Sequence, residues 1–399
     1  MSDNAPLTDL ENLENVRDYL GPTPPLGKLP LRGERFWVDR PAQLLNAVNL
    51  LKQSGVVAVD AEFTQVRART QNDSVSNIPR LALLQIAIEN HCFIVDALRL
   101  QDLSPLMEVF GNPDIAVLLH GAGADMRVMA ERGLQVAHYY DLEATCRSIF
   151  GQHESSLAAM LQRAFGYHLD KSLQRTDWTR RPLPPAMIAY AARDAEVTLE
   201  LYYWLDTHYH IILQLHEANG QTDAVARWIE PFLRGNSTLS PEMAVIEARN
   251  QGQIHNRAQV AADCRAALVS VQHPMRRNRL LRLIADLALT QLSSDLLLLL
   301  QAPTSDERAA AVRALGRLGI KSALEPITAL LSDPVLDVRK AAQTAVHNLT
   351  TKELRQPRPA PTRAADGTRS WVVENAQSQS SSDDDDNGWK SRLRSIIDA

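Results

Sequence analysis

The sequence predicts an α/β protein with a mixed β-sheet, followed by an all-helical repeat region. In the first part of the chain, short apolar runs rich in β-branched residues alternate with segments of helical spacing. From about residue 144 helical patterns dominate, and from about residue 258 the sequence repeats itself. Strands interleaved with and followed by helices indicate a layered α/β fold, and self-similarity at a fixed interval indicates stacked helical units.

The elements of the α/β region follow one another between residues 36 and 206. Three strands come early, and the last two form a hairpin around the turn residues Asn90 and His91. The predicted strands are Gly55–Phe63, Leu81–Glu89, Cys92–Asp96 and Ile115–His120. The predicted helices are Gln43–Lys52, one that ends at the turn GNPD (111–114), one from GAGAD through about Arg132, and those around 144–150, 157–165 and 185–206.

Composition places few limits on the function. The chain has 399 residues, three cysteines and a net charge of -5, so a disulfide framework is excluded and nucleic-acid binding would need a local basic patch. The start of the chain lacks a basic segment followed by an apolar run, and the longest aliphatic run, Leu296–Leu300, is far shorter than the roughly 20 residues that span a bilayer. These features predict a cytoplasmic protein without membrane contact.

Shifts in composition predict five segments. A proline-rich start predicts a flexible leader, and the sequences RQPRPAPTRAADGTR and SSSDDDD near the end predict a disordered basic and acidic tail. The expected segments are a leader (1–35), an α/β domain (36–206), a helical connector (207–257), helical repeats (258–351) and the tail (352–399).

The repeats resemble HEAT-type helical repeats. Three units can be superimposed at intervals of about 30 residues, with Pro274, Pro303 and Pro334 in register. An arginine follows each proline by five residues, at Arg279, Arg308 and Arg339. The first unit matches less well than the other two, and an ordinary helical bundle is the alternative.

Carboxylates close to the predicted strand ends carry the chemistry. Asp60 and Glu62 are two residues apart on the first strand, so the pleat points both to the same side. Carboxylates after a run as apolar as VVAV are costly to desolvate unless a cation binds them, so a hard divalent metal is one explanation and a solvated strand end is the other. Asp125 begins a helix after the strand ending at His120.

A tyrosine and an aspartate complete the pattern. Tyr190 and Asp194 are four residues apart on a later helix and therefore share a face. Taken in order, D-x-E on a strand, D after a second strand and Y-x-x-x-D on a helix resemble the DEDDy family of 3′-5′ exonucleases, which have the ribonuclease-H-like fold and include ribonuclease D. The stretch LDKSLQRTDWTRRPLP (169–184) also resembles ribonuclease D.

The resemblance implies a site and an activity. It makes Asp60, Glu62, Asp125 and Asp194 the ligands of two divalent ions, Mg²⁺ or Mn²⁺, and gives Tyr190 the task of orienting or deprotonating the attacking water. The implied enzyme is a metal-dependent 3′-5′ exoribonuclease that acts on RNA with a free 3′ end, with a role in the maturation of tRNA or other structured RNA. No residue of the motif is missing.

Substrate contacts are expected around these residues. Phe63 is a candidate for stacking on the terminal base and His120 for a sugar or phosphate contact, whereas Trp178 is expected in the core and Gln85 as a satisfied buried amide. A basic cluster near the last motif is expected to neutralise phosphates, and it consists of Lys171, Arg175, Arg180 and Arg181.

The chain departs from ribonuclease D after the α/β domain, where helical HRDC modules are common in that family. Residues 207–257 and the repeats do not resemble those modules, which puts a tRNA-specific role in doubt. Two alternatives therefore stay open. One is a 3′-5′ exonuclease acting on single-stranded DNA, and the other is an adaptor whose repeats bind a protein partner.

Overall fold

The structure is a computed structural model, and it describes residues 24–29, 33–69, 75–170, 172–173, 176–218 and 224–351. The predicted tail (352–399) and most of the predicted leader lie outside the described residues. No helix in the described ranges has both the length and the apolar character that a membrane span requires.

A seven-stranded mixed sheet forms the α/β domain, as the sequence predicts. Its spatial order is β1-β4-β3-β2-β5-β6-β7; the strand pairs β1/β4, β2/β5 and β5/β6 are parallel, and the remaining pairs are antiparallel. The strands are β1 (Glu34–Val38), β2 (Val56–Arg69), β3 (Val75–Ile88), β4 (His91–Asp96), β5 (Ala116–Leu119), β6 (Tyr139–Asp141) and β7 (Glu217–Ala218).

Helices cover both faces of the sheet, because alternate residues of the buried strands are apolar on both sides. The helices of the first face are α1 (Pro41–Leu51), α2 (Met107–Phe110) and α3 (Gly123–Ala130), and those of the second are α4 (Leu142–Phe150), α5 (Leu157–Phe165) and α6 (Pro185–Leu215), which is kinked at Tyr209. Val57 and Val59 pack toward α1, whereas Ala58 packs toward α6. Residues 60 and 62 continue the pattern of Ala58, so they lie on the α6 face.

The short outer strands and the edge of the leader differ from the sequence prediction. β1 begins at Glu34, within the segment predicted as a flexible leader, and Gly27 N donates to the Ala164 carbonyl at 2.7 Å. β6 and β7 have only three and two residues, too few to show an alternating pattern. β7 lies in the stretch predicted as a helical connector, where it adds the last strand to the sheet.

The rest of the described chain is helical and has one continuous core of its own. Trp228 and Ile229, in the predicted connector, pack in this core together with repeat residues such as Leu280 and Leu281. The helices are α7 (Glu230–Arg234), α8 (Pro241–Asn250), α9 (Arg257–Ser270), α10 (Pro274–Asp286), α11 (Ser293–Leu298), α12 (Ser305–Leu318), α13 (Leu324–Ala329) and α14 (Leu336–Thr351).

A ladder of arginines relates the repeats and corrects the predicted register of the first unit. Arg277, Arg308 and Arg339 occur at equal intervals, and each donates through Nη1 to backbone carbonyls just before its own helix. The equivalent of Arg308 is therefore Arg277 and not Arg279. The register is shifted because Pro274 is the first residue of α10, whereas the later prolines precede their helices. Arg308 is fully buried and pairs with Asp333 at 2.9 Å.

Candidate active site

Three carboxylates meet where β2 passes under α6. Asp60 and Glu62 point to the α6 face of the sheet, and Asp194 reaches them from the third turn of α6. Ligand oxygens of the three side chains all lie within 4.8 Å of one another. The period-two spacing of the strand and the packing of α6 on the sheet together produce this cluster.

The fourth carboxylate, Asp125, approaches from the first turn of α3. It lies outside the 4.8 Å group, although it is close enough for its pKa and that of Glu62 to be raised by neighbouring carboxylates. The turn that leads into α3 is held by Asp141, whose carboxylate accepts hydrogen bonds from the N–H groups of Gly121 (3.0 Å) and Ala122 (3.3 Å). Gly121 has a φ of 81°, so the turn favours glycine there.

Tyr190 lies one helical turn before Asp194 and shares its face, as predicted. The two side chains form a hydrogen bond, and the tyrosine is also close enough to Asp60 and Glu62 to be affected by their charges. Burial, followed by the charge of Asp194, raises the pKa of the Tyr190 hydroxyl. The Trp178 ring lies 6.1 Å from the Tyr190 ring, and Trp178 is 2% exposed, which confirms its predicted place in the core.

Burial and mutual repulsion raise the pKa values of this cluster. Burial raises the pKa of Asp60 to about 6. Burial, and then the charge of Asp60, raises the pKa of Glu62 to about 9 and that of Asp125 to about 8. Among the described residues, no lysine or arginine forms an ion pair with Asp60, Glu62 or Asp125.

The donor set fits divalent metal ions. Carboxylate oxygens are the ligands that Mg²⁺ and Mn²⁺ prefer, and a cation would remove the repulsion that raises these pKa values. Asp60, Glu62 and Asp194 are the residues placed to hold such an ion, and Asp125 is placed to contact it from α3. Sites of this kind bind metal more weakly as pH falls, because protons compete for the same oxygens.

Arg181 has a structural position, which corrects its predicted contact with substrate phosphates. Its guanidinium pairs with the fully buried Asp96 through Nε and Nη2, both at 2.7 Å, and its other N–H groups donate to the carbonyls of Trp178, Arg180 and Ala82. All five donors are thus used within the protein. This network fastens the segment before α6 to the end of β4.

The other residues predicted to contact the substrate lie in different environments. Phe63 follows a register shift in β2 and packs against the core on the face opposite to Asp60. His120, just after β5, lies close to the backbone of Ser155, and burial lowers the pKa of its ring. Arg180 is exposed. Lys171 and Arg175 lie outside the described residues.

Sequence reasoning correctly predicted that Gln85 is buried, wrongly predicted that its amide is satisfied, and missed two supporting carboxylates. Gln85 is fully buried and lies opposite Asp60 in the register of β2 and β3, but neither atom of its amide has a hydrogen-bond partner among the described residues. Asp96 and Asp141 hold the segments that carry α6 and α3. The position of Asp96 at the end of a predicted strand is the only signal in the sequence, and Asp141 belongs to a strand too short to recognise.

The chain matches two known families over separate segments. Residues 36–208 match the 3′-5′ exonuclease family, and residues 293–365 match HEAT repeats. The first segment contains the whole sheet except β7 and the two residues at the start of β1, and it contains all four carboxylates. The α/β region is therefore a 3′-5′ exonuclease domain, and the chain carries HEAT repeats after it, as the sequence predicted.

Relatives of this chain include ribonuclease D and RRP6 proteins. The chain is 30% identical to ribonuclease D of Haemophilus influenzae over 164 residues, 41% of this chain and 39% of the relative. It is 33% identical to the exosome complex exonuclease RRP6 of Saccharomyces cerevisiae over 169 residues, 42% of this chain and 22% of the relative. The chain thus spans well under half the length of these relatives.

Among solved structures, ribonuclease D of Escherichia coli is similar at 20% identity. That comparison covers 81% of this chain and 76% of the other, with a TM-score of 0.40.

The raised pKa of Asp125 predicts a stability gain when its charge is removed. In the unfolded chain this carboxyl ionises near pH 4, and in the folded protein near pH 8. Ionisation therefore favours the unfolded state, and the stability of the metal-free protein falls as pH rises through this window. We expect Asp125→Asn to raise the melting temperature by roughly 3 °C at pH 8 in a chelator, and by little at pH 4.

Thermal unfolding at both pH values measures this effect, with Asp114→Asn as the control at an exposed aspartate. A variant that melts at or below the wild-type temperature at pH 8 would contradict the buried, unpaired state of Asp125.

The network of Arg181 predicts a loss of stability and not a loss of phosphate binding. Arg181→Ala leaves Asp96 buried without its cation, so we expect the melting temperature to fall by roughly 10 °C. Arg180→Ala, at an exposed neighbour, is expected to change it by about 1 °C or less. If Arg181→Ala melted like wild type and instead reduced the salt dependence of RNA affinity, Arg181 would be a phosphate contact after all.

Proposed function

We propose that the protein is a metal-dependent 3′-5′ exoribonuclease that removes nucleoside monophosphates from RNA 3′ ends. The observation that carries this proposal is the cluster of Asp60, Glu62 and Asp194 oxygens within 4.8 Å, with Tyr190 on the face of α6 that carries Asp194. The cluster lies inside the segment that matches the 3′-5′ exonuclease family. The proposed exonuclease domain is the one expected from the sequence, residues 36–206, and its sheet also includes the start of β1 and strand β7.

The proposed cofactor is a pair of divalent ions, Mg²⁺ or Mn²⁺, held by Asp60, Glu62, Asp125 and Asp194. When bound, such ions would supply positive charge to both the attacking and the leaving oxygen of a phosphodiester. The spread of the ligands supports a pair, because three carboxylates gather closely and Asp125 reaches the site from another helix.

Tyr190 orients the attacking water in this proposal. Its hydroxyl is hydrogen-bonded to Asp194, so its proton is directed to the carboxylate and its oxygen lone pairs are available to a water on the substrate side. Fixing the water in this way lowers the entropic cost of the attack, because the water is already oriented before the reaction begins. Asp96 and Arg181 position this machinery, since they hold the segment from which α6 begins.

RNA is the proposed substrate because the relatives include ribonuclease D and an exosome exonuclease. Maturation of tRNA or another structured RNA is the proposed role. The HEAT repeats are proposed to bind a protein partner in addition, since stacked helical repeats present extended binding surfaces. A cytoplasmic location is proposed on the cysteine content.

Degradation of end-labelled single-stranded RNA with Mg²⁺ or Mn²⁺ tests this function. We expect stepwise shortening from a free 3′ end and no shortening when that end is blocked. Asp60→Asn removes a metal ligand and is expected to reduce the rate at least ~100-fold, and Tyr190→Phe to reduce it while the protein still binds Mn²⁺. Tyr203→Phe, at an exposed tyrosine farther along α6, is the matched control.

The same assay with DNA of identical sequence separates the alternatives. Faster shortening of DNA would replace the RNA proposal with a single-strand DNA exonuclease. Absence of metal-dependent cleavage of both nucleic acids would leave the repeats as the main functional part of the chain.

A further inference from the structure

A cleft lies where the exonuclease domain meets the HEAT repeats. Its volume is about 470 Å³, and its walls come from the end of α4 and the turn after it on one side and from α12 and α14 on the other. The lining includes the charged and polar residues Arg147, Gln152, Asp306, Arg313, Asp337 and Lys340.

The carboxylates of this cleft are engaged by neutral donors that join the two domains. Asp306 accepts hydrogen bonds from the Ser148 hydroxyl at 3.0 Å and from the Asn278 amide at 3.3 Å. Asp337 accepts one from the Gln152 N–H at 2.7 Å. Both carboxylates therefore help to fix the walls of the cleft relative to each other.

The cations of the cleft have no such partners. Within the described part of the chain, no carboxylate lies at ion-pair distance from Arg147, Arg313 or Lys340. Lys340 Nζ lies 3.4 Å from Nε2 of His153. The pKa of Arg313 is lowered by burial, and the charges of the two cleft carboxylates do not offset this effect. The cavity is thus lined by three cations and two carboxylates. Both carboxylates already accept hydrogen bonds from neutral donors of the protein.

A succession of neighbouring elements connects the cleft with the carboxylate cluster. Gln152 begins the short 3₁₀ helix Gln152–Glu154, and the next residue, Ser155, contacts the His120 ring through its backbone. His120 directly follows β5, the strand beside β2, which carries Asp60. A strand of nucleic acid leaving the carboxylate cluster past His120 would therefore meet the cleft next.

We propose that this cleft binds backbone phosphates of the RNA upstream of its 3′ end, with Arg147, Arg313 and Lys340 as the cationic contacts. The inference rests on the proposed exoribonuclease function and adds a role for the repeats, which supply two of the three cations. Phosphates are the anions that three separated cations along one cleft fit, since each nucleotide brings one charge. The contact is independent of base sequence.

The test compares a long and a short RNA. The 12-nucleotide RNA is the substrate expected to reach the cleft, and a trinucleotide is the substrate expected to contact the carboxylate cluster alone. We expect Arg313→Gln combined with Lys340→Gln to raise KM for the 12-mer about tenfold and to lower the slope of log affinity against log salt by roughly 1.4, or about 0.7 for each lost contact. Turnover of the trinucleotide stays unchanged.

Arg317→Gln is the matched control, because Arg317 is on the same helix and pairs with Asp286 away from the cleft. An unchanged KM and salt slope for the 12-mer in the double variant would overturn the proposal. So would equal effects of the double variant and the control, because they would indicate a general charge effect.

Two further outcomes are distinguishable. Affinity is measured separately from turnover, so a wild type that binds the 12-mer with the expected salt slope but degrades neither RNA contradicts the proposed function and not the cleft. The second outcome concerns the acidic segment Asp383–Asp386. If replacing these four aspartates by asparagine abolishes the effect of the double substitution on KM, the cleft binds the acidic segment of the chain, and the RNA proposal is wrong.

Discussion

The repulsion among carboxylates that meet at the middle of strand β2 is the constraint on which the exonuclease domain depends. Asp60 and Glu62 follow a run of buried apolar residues, and Asp194 and Asp125 are brought to them by separate helices. Such a cluster opposes folding unless protons or cations neutralise it. The rest of the domain supplies the packing that holds the carboxylates together against this cost.

Two carboxylate anchors, the buried Asp96 and the partly buried Asp141, provide much of that support. Asp96, with Arg181, ties the entrance of α6 to the sheet, and Arg181 also donates to the carbonyl of Ala82, which the register shift between β2 and β3 leaves without a partner in β2. Asp141 holds the turn that leads into α3, because its carboxylate accepts hydrogen bonds from two backbone N–H groups of that turn. Both anchors are carboxylates engaged by N–H donors.

The sequence predicted those features that depend on local periodicity. The alternation of β2 put Asp60 and Glu62 on one face, and the helical spacing of Tyr190 and Asp194 put both on one side of α6, as the structure has them. The position of Arg181 could not be predicted, because Asp96 and Ala82, which its guanidinium contacts, are distant from it in the chain and meet it only in the folded protein.

The same limit applies to the repeats and the short strands. The prolines gave the interval of the repeats, but the structural equivalence of Arg277 with Arg308 depends on where each helix begins, which a proline alone does not fix. β6 and β7 are too short for any pattern to show, and they are set by pairing within the sheet.

Calorimetric titration of the metal-free protein with Mn²⁺ at pH 6.5, in two buffers of different ionisation enthalpy, tests the central claim most directly. If carboxylates with raised pKa values form the metal site, Mn²⁺ binds and displaces protons, so the apparent enthalpy differs between the buffers. No binding, or binding with the same enthalpy in both buffers, would contradict the account.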